Sequence, residues 1–211
     1  MSPRPAASVF RTLLRFSTAA VIGIVAWGCG GGADTSGRIH ILRIPDPPTA
    51  APPASMLVIG VEHFSAVTPL NDWRILKYES PTQLKYYDED RWVSEPTTMI
   101  PELAAQFLER MGIARQAGLL PWVEKMDYVL QGQVLSFEEI RNGDQHAARV
   151  AIELTLLRFP KRELVWTGTF RAQQPVAGDD IPAAVEALSL ATHEVLRSGF
   201  ADLAQNLKQQ P

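Results

Sequence analysis

Few residues in this chain are of a type and spacing that could do chemistry. The four histidines, His40, His63, His146 and His193, are widely separated. They form no helix- or loop-type pair of metal ligands, so no metal site is expected. Each reads as a structural or exposed imidazole. Neither common serine-nucleophile signature, Gly-x-Ser-x-Gly or Ser-x-x-Lys, occurs. No Gly-Lys dipeptide marks a phosphate loop, and the Gly30–Gly32 run does not open a helix. The paired acids are Glu138-Glu139 and Asp179-Asp180. Catalytic carboxylates must converge, and neighbours on a strand point to opposite faces, which separates Glu138 from Glu139. Asp179-Asp180 stands where acids oppose the dipole of a helix start. Asp88-Glu89-Asp90 reads as a solvated turn. No catalytic residues and no cofactor are expected, so the chain does not read as an enzyme.

One residue does carry chemistry by position. Cys29 is the single cysteine, which excludes an internal disulfide. It follows Arg4, Arg11 and Arg15 in an acid-free start, then an uncharged apolar run over residues 16–27. This is the n-region and h-region order of an export signal over residues 1–28. A transmembrane helix needs about 20 apolar residues, more than this run supplies. Its end resembles the lipobox of bacterial lipoproteins, with Gly28 just before the cysteine and Ala26 two residues earlier. Trp27 departs from that pattern, which favours a small residue. The resemblance implies that Cys29 carries the acyl chains, palmitate among them, as the mature N-terminus. An acyl anchor of this kind holds a protein at a membrane, since each buried CH₂ contributes about 0.8 kcal/mol. Gly30 in place of Asp implies onward export to the outer membrane, facing the periplasm.

The rest of the chain must position whatever surface this anchor presents. It has 211 residues, 46% of them hydrophobic, with 20 Lys and Arg against 23 Asp and Glu. That fits one globular domain with a tail, and a net charge of −3 gives nucleic acid no basic footprint. Residues 29–55 form the acylated N-terminus and a Gly/Pro-rich linker. Within them, residues 38–44 alternate like a short strand, with Ile39, Ile41 and Arg43 on one side and His40, Leu42 and Ile44 on the other. Five prolines between Pro45 and Pro53 then make a stiff extended connector.

Residues 56–208 form the domain. Residues 57–64 read as a buried strand. Residues 74–79 and 83–87 read as two strands joined by Ser80-Pro81-Thr82. Residues 98–111 form a helix with Thr98 as N-cap, a stripe of Ile100, Leu103, Phe107, Leu108 and Met111, and Gly112 at its end. Three antiparallel strands follow, over residues 128–137, 149–156 and 164–170, with Leu164, Trp166 and Phe170 on one buried face. Asp180 and Pro182 open a long helix to about residue 207. The order implies an α+β fold, an antiparallel-rich or mixed sheet with two main helices packed on it.

Residues 74–96 concentrate Tyr78, Tyr86, Tyr87 and Trp92 with Lys77, Lys85 and Arg91. Such a mixture suits either cross-strand packing or an interface, where Tyr, Trp and Arg are the usual anchors. Arg74-Ile75, Tyr78, Tyr86-Tyr87, Arg91-Trp92 and Glu95-Pro96, followed by residues 128–132 and Phe137-Glu138, resemble the ABC-type transport auxiliary lipoproteins of the PqiC/YmbA kind. The resemblance covers about residues 38–207. It implies a non-enzymatic accessory subunit that docks an MCE-domain protein at a membrane in a lipid transport system, phospholipid among its cargoes. Homo-oligomers fit that family. Tyr86, Tyr87, Arg91 and Trp92 are the expected partner or oligomer interface. The alternative is a periplasmic carrier whose sheet and helices enclose a pocket for an acyl chain.

Overall fold

The computed structural model describes residues 37–46, 56–121, 125–143 and 145–209. Cys29, the export signal and most of the expected linker lie outside the described residues. The elements run β1 (Arg38–His40), β2 (Val58–Val61), β3 (Ser65–Ala66), β4 (Arg74–Ser80), β5 (Gln83–Trp92) and α1 (Pro96–Arg110). They continue with β6 (Gln116–Leu119), β7 (Tyr128–Asn142), β8 (Gln145–Arg158), β9 (Glu163–Pro175) and α2 (Ile181–Gln209). The fold is α+β, an open mixed sheet of nine strands with two helices.

Strand β7 organises the sheet. One of its edges pairs antiparallel with β8 from Tyr128↔Arg158 to Asn142↔Gln145. The other edge takes three short parallel partners in turn: β2 at Tyr128 to Leu130, β3 at Gln133 and Val134, and β4 at Glu139 and Ile140. Outside these, β6 pairs parallel with β2, β5 antiparallel with β4, and β1 parallel with β5. The last β7–β8 pair is Asn142↔Gln145, and beyond Asn142 stands Gly143, whose φ of +57° is the left-handed conformation glycine adopts freely. Gly132 of β7 lies under the Phe64 ring, where a Cβ would stand 2.5 Å from a ring carbon. A side chain at that position would displace the ring.

Helix α1 begins at Pro96, so Thr98 lies inside its first turn and Glu95 is the N-cap residue. Proline at the first helical position, where no N–H is needed, sets this start ahead of Thr98. Pro101 lacks the N–H that would reach the Thr97 carbonyl, and that carbonyl instead accepts the Phe64 N–H at 3.3 Å. The helix ends at Gly112, φ +68°, with Gly112 N–H donating to the Glu109 carbonyl and Ile113 N–H to the Leu108 carbonyl. That is the Schellman pattern. At α2 the Asp180 carboxylate accepts the Ala183 N–H at 3.0 Å and caps the helix.

Both helices pack on one face of the sheet and touch each other. Val150, Ile152, Leu154 and Leu156 of β8 are fully buried there, with Leu188, Val195, Leu196 and Phe200 of α2 and Ile100, Phe107 and Leu108 of α1. The reverse face of β7–β9 is polar, presenting Gln131, Gln133, Glu153, Thr155, Thr167 and Arg171. Trp166 is buried and its Nε1–H donates to the Asp202 carboxylate at 2.8 Å. Leu164 corrects the sequence expectation, for it is 64% exposed. The register slips between Leu156↔Trp166 and Leu157↔Leu164, so β9 gains a residue and Leu164 turns outward.

Trp166→Ala should therefore lower stability by about 3–5 kcal/mol. Leu164→Ala should stay within about 0.5 kcal/mol. Urea unfolding midpoints of the two variants check this, and equal losses would contradict the facing described.

Candidate interaction surface

The aromatic and basic residues singled out in the sequence lie on β5 and its neighbours, but the strand divides them between two faces. Three extra residues of β5 stand between the pairs Arg74↔Arg91 and Leu76↔Tyr86. This bulge lets Tyr87 and Trp92 both reach the helix side. Trp92 is 2% exposed, and its ring stands 5.3 Å from that of Phe137. It is a core residue, which corrects its assignment to an interface. A side chain already packed inside its own chain offers a partner nothing to bury.

Tyr87 is half-buried and serves a polar network. Its hydroxyl donates to Glu139 Oε2 at 2.5 Å, and His146 Nε2 lies 2.6 Å from Glu139 Oε1. Arg141 Nε donates to the same carboxylate at 3.4 Å. Glu139 is fully buried, and burial together with this carboxylate pushes the Tyr87 phenol well above its usual range. Glu138 is buried on the opposite face, where Arg149 Nε donates to it at 2.6 Å. Burial raises its pKa, and the Arg149 bond opposes that shift. The two neighbours thus point apart, as strand geometry requires, and cannot act as one carboxylate pair.

Asp88-Glu89-Asp90 is not a turn. It lies within β5, and Asp90 is buried. Arg38 donates to both Asp90 oxygens, at 2.9 and 2.7 Å, and His40 Nε2 sits 2.7 Å from Oδ1. This carboxylate fastens β1 to the sheet. Its pKa lies below the usual range, chiefly through the Arg38 hydrogen bond, with burial opposing and His40 assisting.

Tyr86 and Arg91 reach the open face. The Tyr86 hydroxyl donates to the Pro69 carbonyl at 3.0 Å, and Arg74 stacks 4.0 Å over its ring. The Arg91 guanidinium stands 5.2 Å over the exposed ring of Trp73. Ile39, which pairs with Arg91 across β1–β5, is exposed beside it. The sequence reading missed Trp73 and stopped β5 at Tyr87. The alternation of Ile39 and Ile41 against His40 and Leu42 was the available sign, and it places the two isoleucines outward.

Among the described residues, no group of three His, Cys, Asp or Glu side chains comes together to hold a metal. An open apolar cleft of about 270 Å³ lies at the ends of the two helices, lined by Leu57, Met111, Ile113, Ala204, Leu207 and Lys208.

Residues 41–198 match the family model of the ABC-type transport auxiliary lipoprotein component. Among solved structures, a Xanthomonas campestris protein aligns with TM-score 0.74 and 22% identity, over 82% of this chain and 98% of its own. A second crystal structure, of an uncharacterized protein, aligns with TM-score 0.61 and 14% identity, over 82% and 99%. At these identities the two structures share the fold. No curated protein matches the chain.

Two outcomes follow from this geometry. Trp92→Ala should cost about 3–5 kcal/mol of stability, whereas Arg91→Ala should leave the thermal melt nearly unchanged. Asp90 has a depressed folded pKa, so its contribution is present above the ordinary carboxylate pKa of about 4 and is lost as pH falls through the folded value. Asp90→Asn should lower the urea midpoint at pH 7 and flatten its decline below about pH 4. A decline of unchanged steepness would show that other carboxylates govern acid unfolding.

Proposed function

The chain belongs to the ABC-type transport auxiliary lipoprotein component family, and on that premise we propose that it is a non-enzymatic accessory subunit of an MCE-type ABC lipid transport system. In this reading acylated Cys29 holds it at the outer membrane, facing the periplasm, and the folded domain docks an MCE-domain protein there. The observation that carries the reading is the family match from residue 41 to residue 198, which spans β2 to most of α2. Two features agree with it. The lone cysteine stands at the end of the lone export signal, and the titratable clusters of the fold are tied up in ion pairs within the sheet. Residues 1–28 are then removed, and residues 29–36 tether the domain, whereas the Pro-rich stretch links β1 to β2 within it. Of the expected contact residues, Tyr86 and Arg91 lie on the open face, and this face is where we place contacts with other molecules or with a second copy of the chain.

The carrier reading has one observation in its favour, the apolar cleft at the helix ends. The cleft is open to solvent, whereas ligand pockets bury most of a small molecule's surface. The space between sheet and helices is filled by Phe107, Phe200, Leu154 and their neighbours. We therefore favour the docking subunit.

The test has two arms. Cys29→Ala should accumulate as unprocessed precursor without radiolabelled palmitate. The wild-type lipoprotein, extracted in detergent from its own cells, should co-purify an MCE-domain protein. Persistent labelling of the variant would refute the anchor, and an MCE protein that never co-purifies would refute the docking role.

A further inference from the structure

The edge of the sheet at β1 carries a patch that neither the core nor the family match explains. Ile39, Ile41, Trp73 and Val93 are large apolar side chains, each more than half exposed. They are contiguous. Ile39 pairs with Arg91, the Val93 N–H continues the ladder to the His40 carbonyl, and Trp73 lies under the Arg91 guanidinium. Single exposed apolar residues need no explanation, but a cluster around a cation does.

The cation has no carboxylate partner among the described residues. Arg38 and Arg74 are paired with Asp90 and Asp72. Arg91 has no ion pair among the described residues, and its Nε is buried without a hydrogen-bond partner. An arginine held on an aromatic face without a carboxylate partner is suited to a phosphate. Arg43, two residues past Ile41, is exposed as well.

Position supplies the occupant. If Cys29 is the acylated terminus, the stretch from it to Arg38 spans no more than about 30 Å even when fully extended. The patch therefore never leaves the neighbourhood of the bilayer. Exposed Trp and Ile with Arg is the composition of a surface that sits at the headgroup level. We propose that Ile39, Ile41, Trp73 and Val93 rest on the lipid surface to which the chain is tethered, with Arg91 binding a lipid phosphate. This rests on the reading of Cys29 as the anchor. It assigns the β1 edge to lipid and leaves Tyr86 and the polar face of β7–β9 for protein contacts.

The experiment uses the full acylated lipoprotein in vesicles of phosphatidylethanolamine and phosphatidylglycerol containing nitroxide-labelled lipid. A fluorophore is attached at Ile41→Cys or, as control, at Leu164→Cys, an exposed position on β9. Quenching at position 41 and none at 164 is expected. Arg91→Ala should reduce the ratio of docked to undocked patch about fivefold, the worth of one basic residue at an anionic surface. Trp73→Ala should reduce it further. Flotation with the vesicles reports the anchor separately. A protein that floats while position 41 stays unquenched, or matches position 164, overturns the patch and leaves the anchor standing. A protein that does not float overturns both. Shielding of position 41 by the MCE-domain protein instead of lipid overturns the assignment in favour of a protein occupant.

Discussion

Strand β7 imposes the constraint on which the rest of the fold depends. A long extended segment presents two rows of backbone N–H and C=O groups, and buried groups of this kind must be paired. Strand β8 satisfies one row along its whole length. The other row is met piecemeal by β2, β3 and β4, because the chain there is interrupted by loops. Each short strand is stable only as part of that edge. The two helices then cover the apolar face that β7, β8 and β9 create together. Phe64 shows how tightly these parts interlock. Its ring covers Gly132, and its backbone N–H occupies the carbonyl that Pro101 leaves free in α1.

Buried charge plays a second organising part. Glu139, Glu138 and Asp90 are nearly inaccessible, and each is met by hydrogen-bonding partners from another strand or from further along its own. Buried carboxylates are costly unless so paired. Their partners therefore restrict how strands can align: Tyr87 against Glu139 brings β5 over β7, Arg149 against Glu138 fixes β8, and Arg38 against Asp90 fixes β1. A slip of one residue would strand a charge in the core as well as turn the apolar face outward.

Much of this was legible in the sequence where periodicity was long and clean. The alternation of β8, the stripe of α1, Gly112 as its stop, Asp180 as the cap of α2 and the Asn-Gly hairpin each follow from local rules. The failures have local causes too. Pro96 moved the start of α1 ahead of Thr98. Leu164 turned outward because a bulge in β9 broke the alternation that had grouped it with Trp166. Asp88-Glu89-Asp90 looked like a turn because three acids in a row suggest solvent. Only the long-range contact with Arg38 and His40 makes one of them a buried strand residue. The candidate surface was half visible. The aromatic and basic composition marked the region correctly, but the bulge in β5 that sends Trp92 and Tyr87 inward has no sequence sign.

The placement of β1 has a mechanical consequence. Gly37 leads directly into β1, a strand at one edge of the sheet. Any tension on the N-terminal segment is therefore delivered first to three parallel rungs and to the Arg38–Asp90 clamp. For a pull directed along the strand, these bonds are loaded together in shear rather than opened one after another. The carboxylate of Asp90 then works as a strain relief, keeping a tug on the tether from reaching Trp92 and the core behind it.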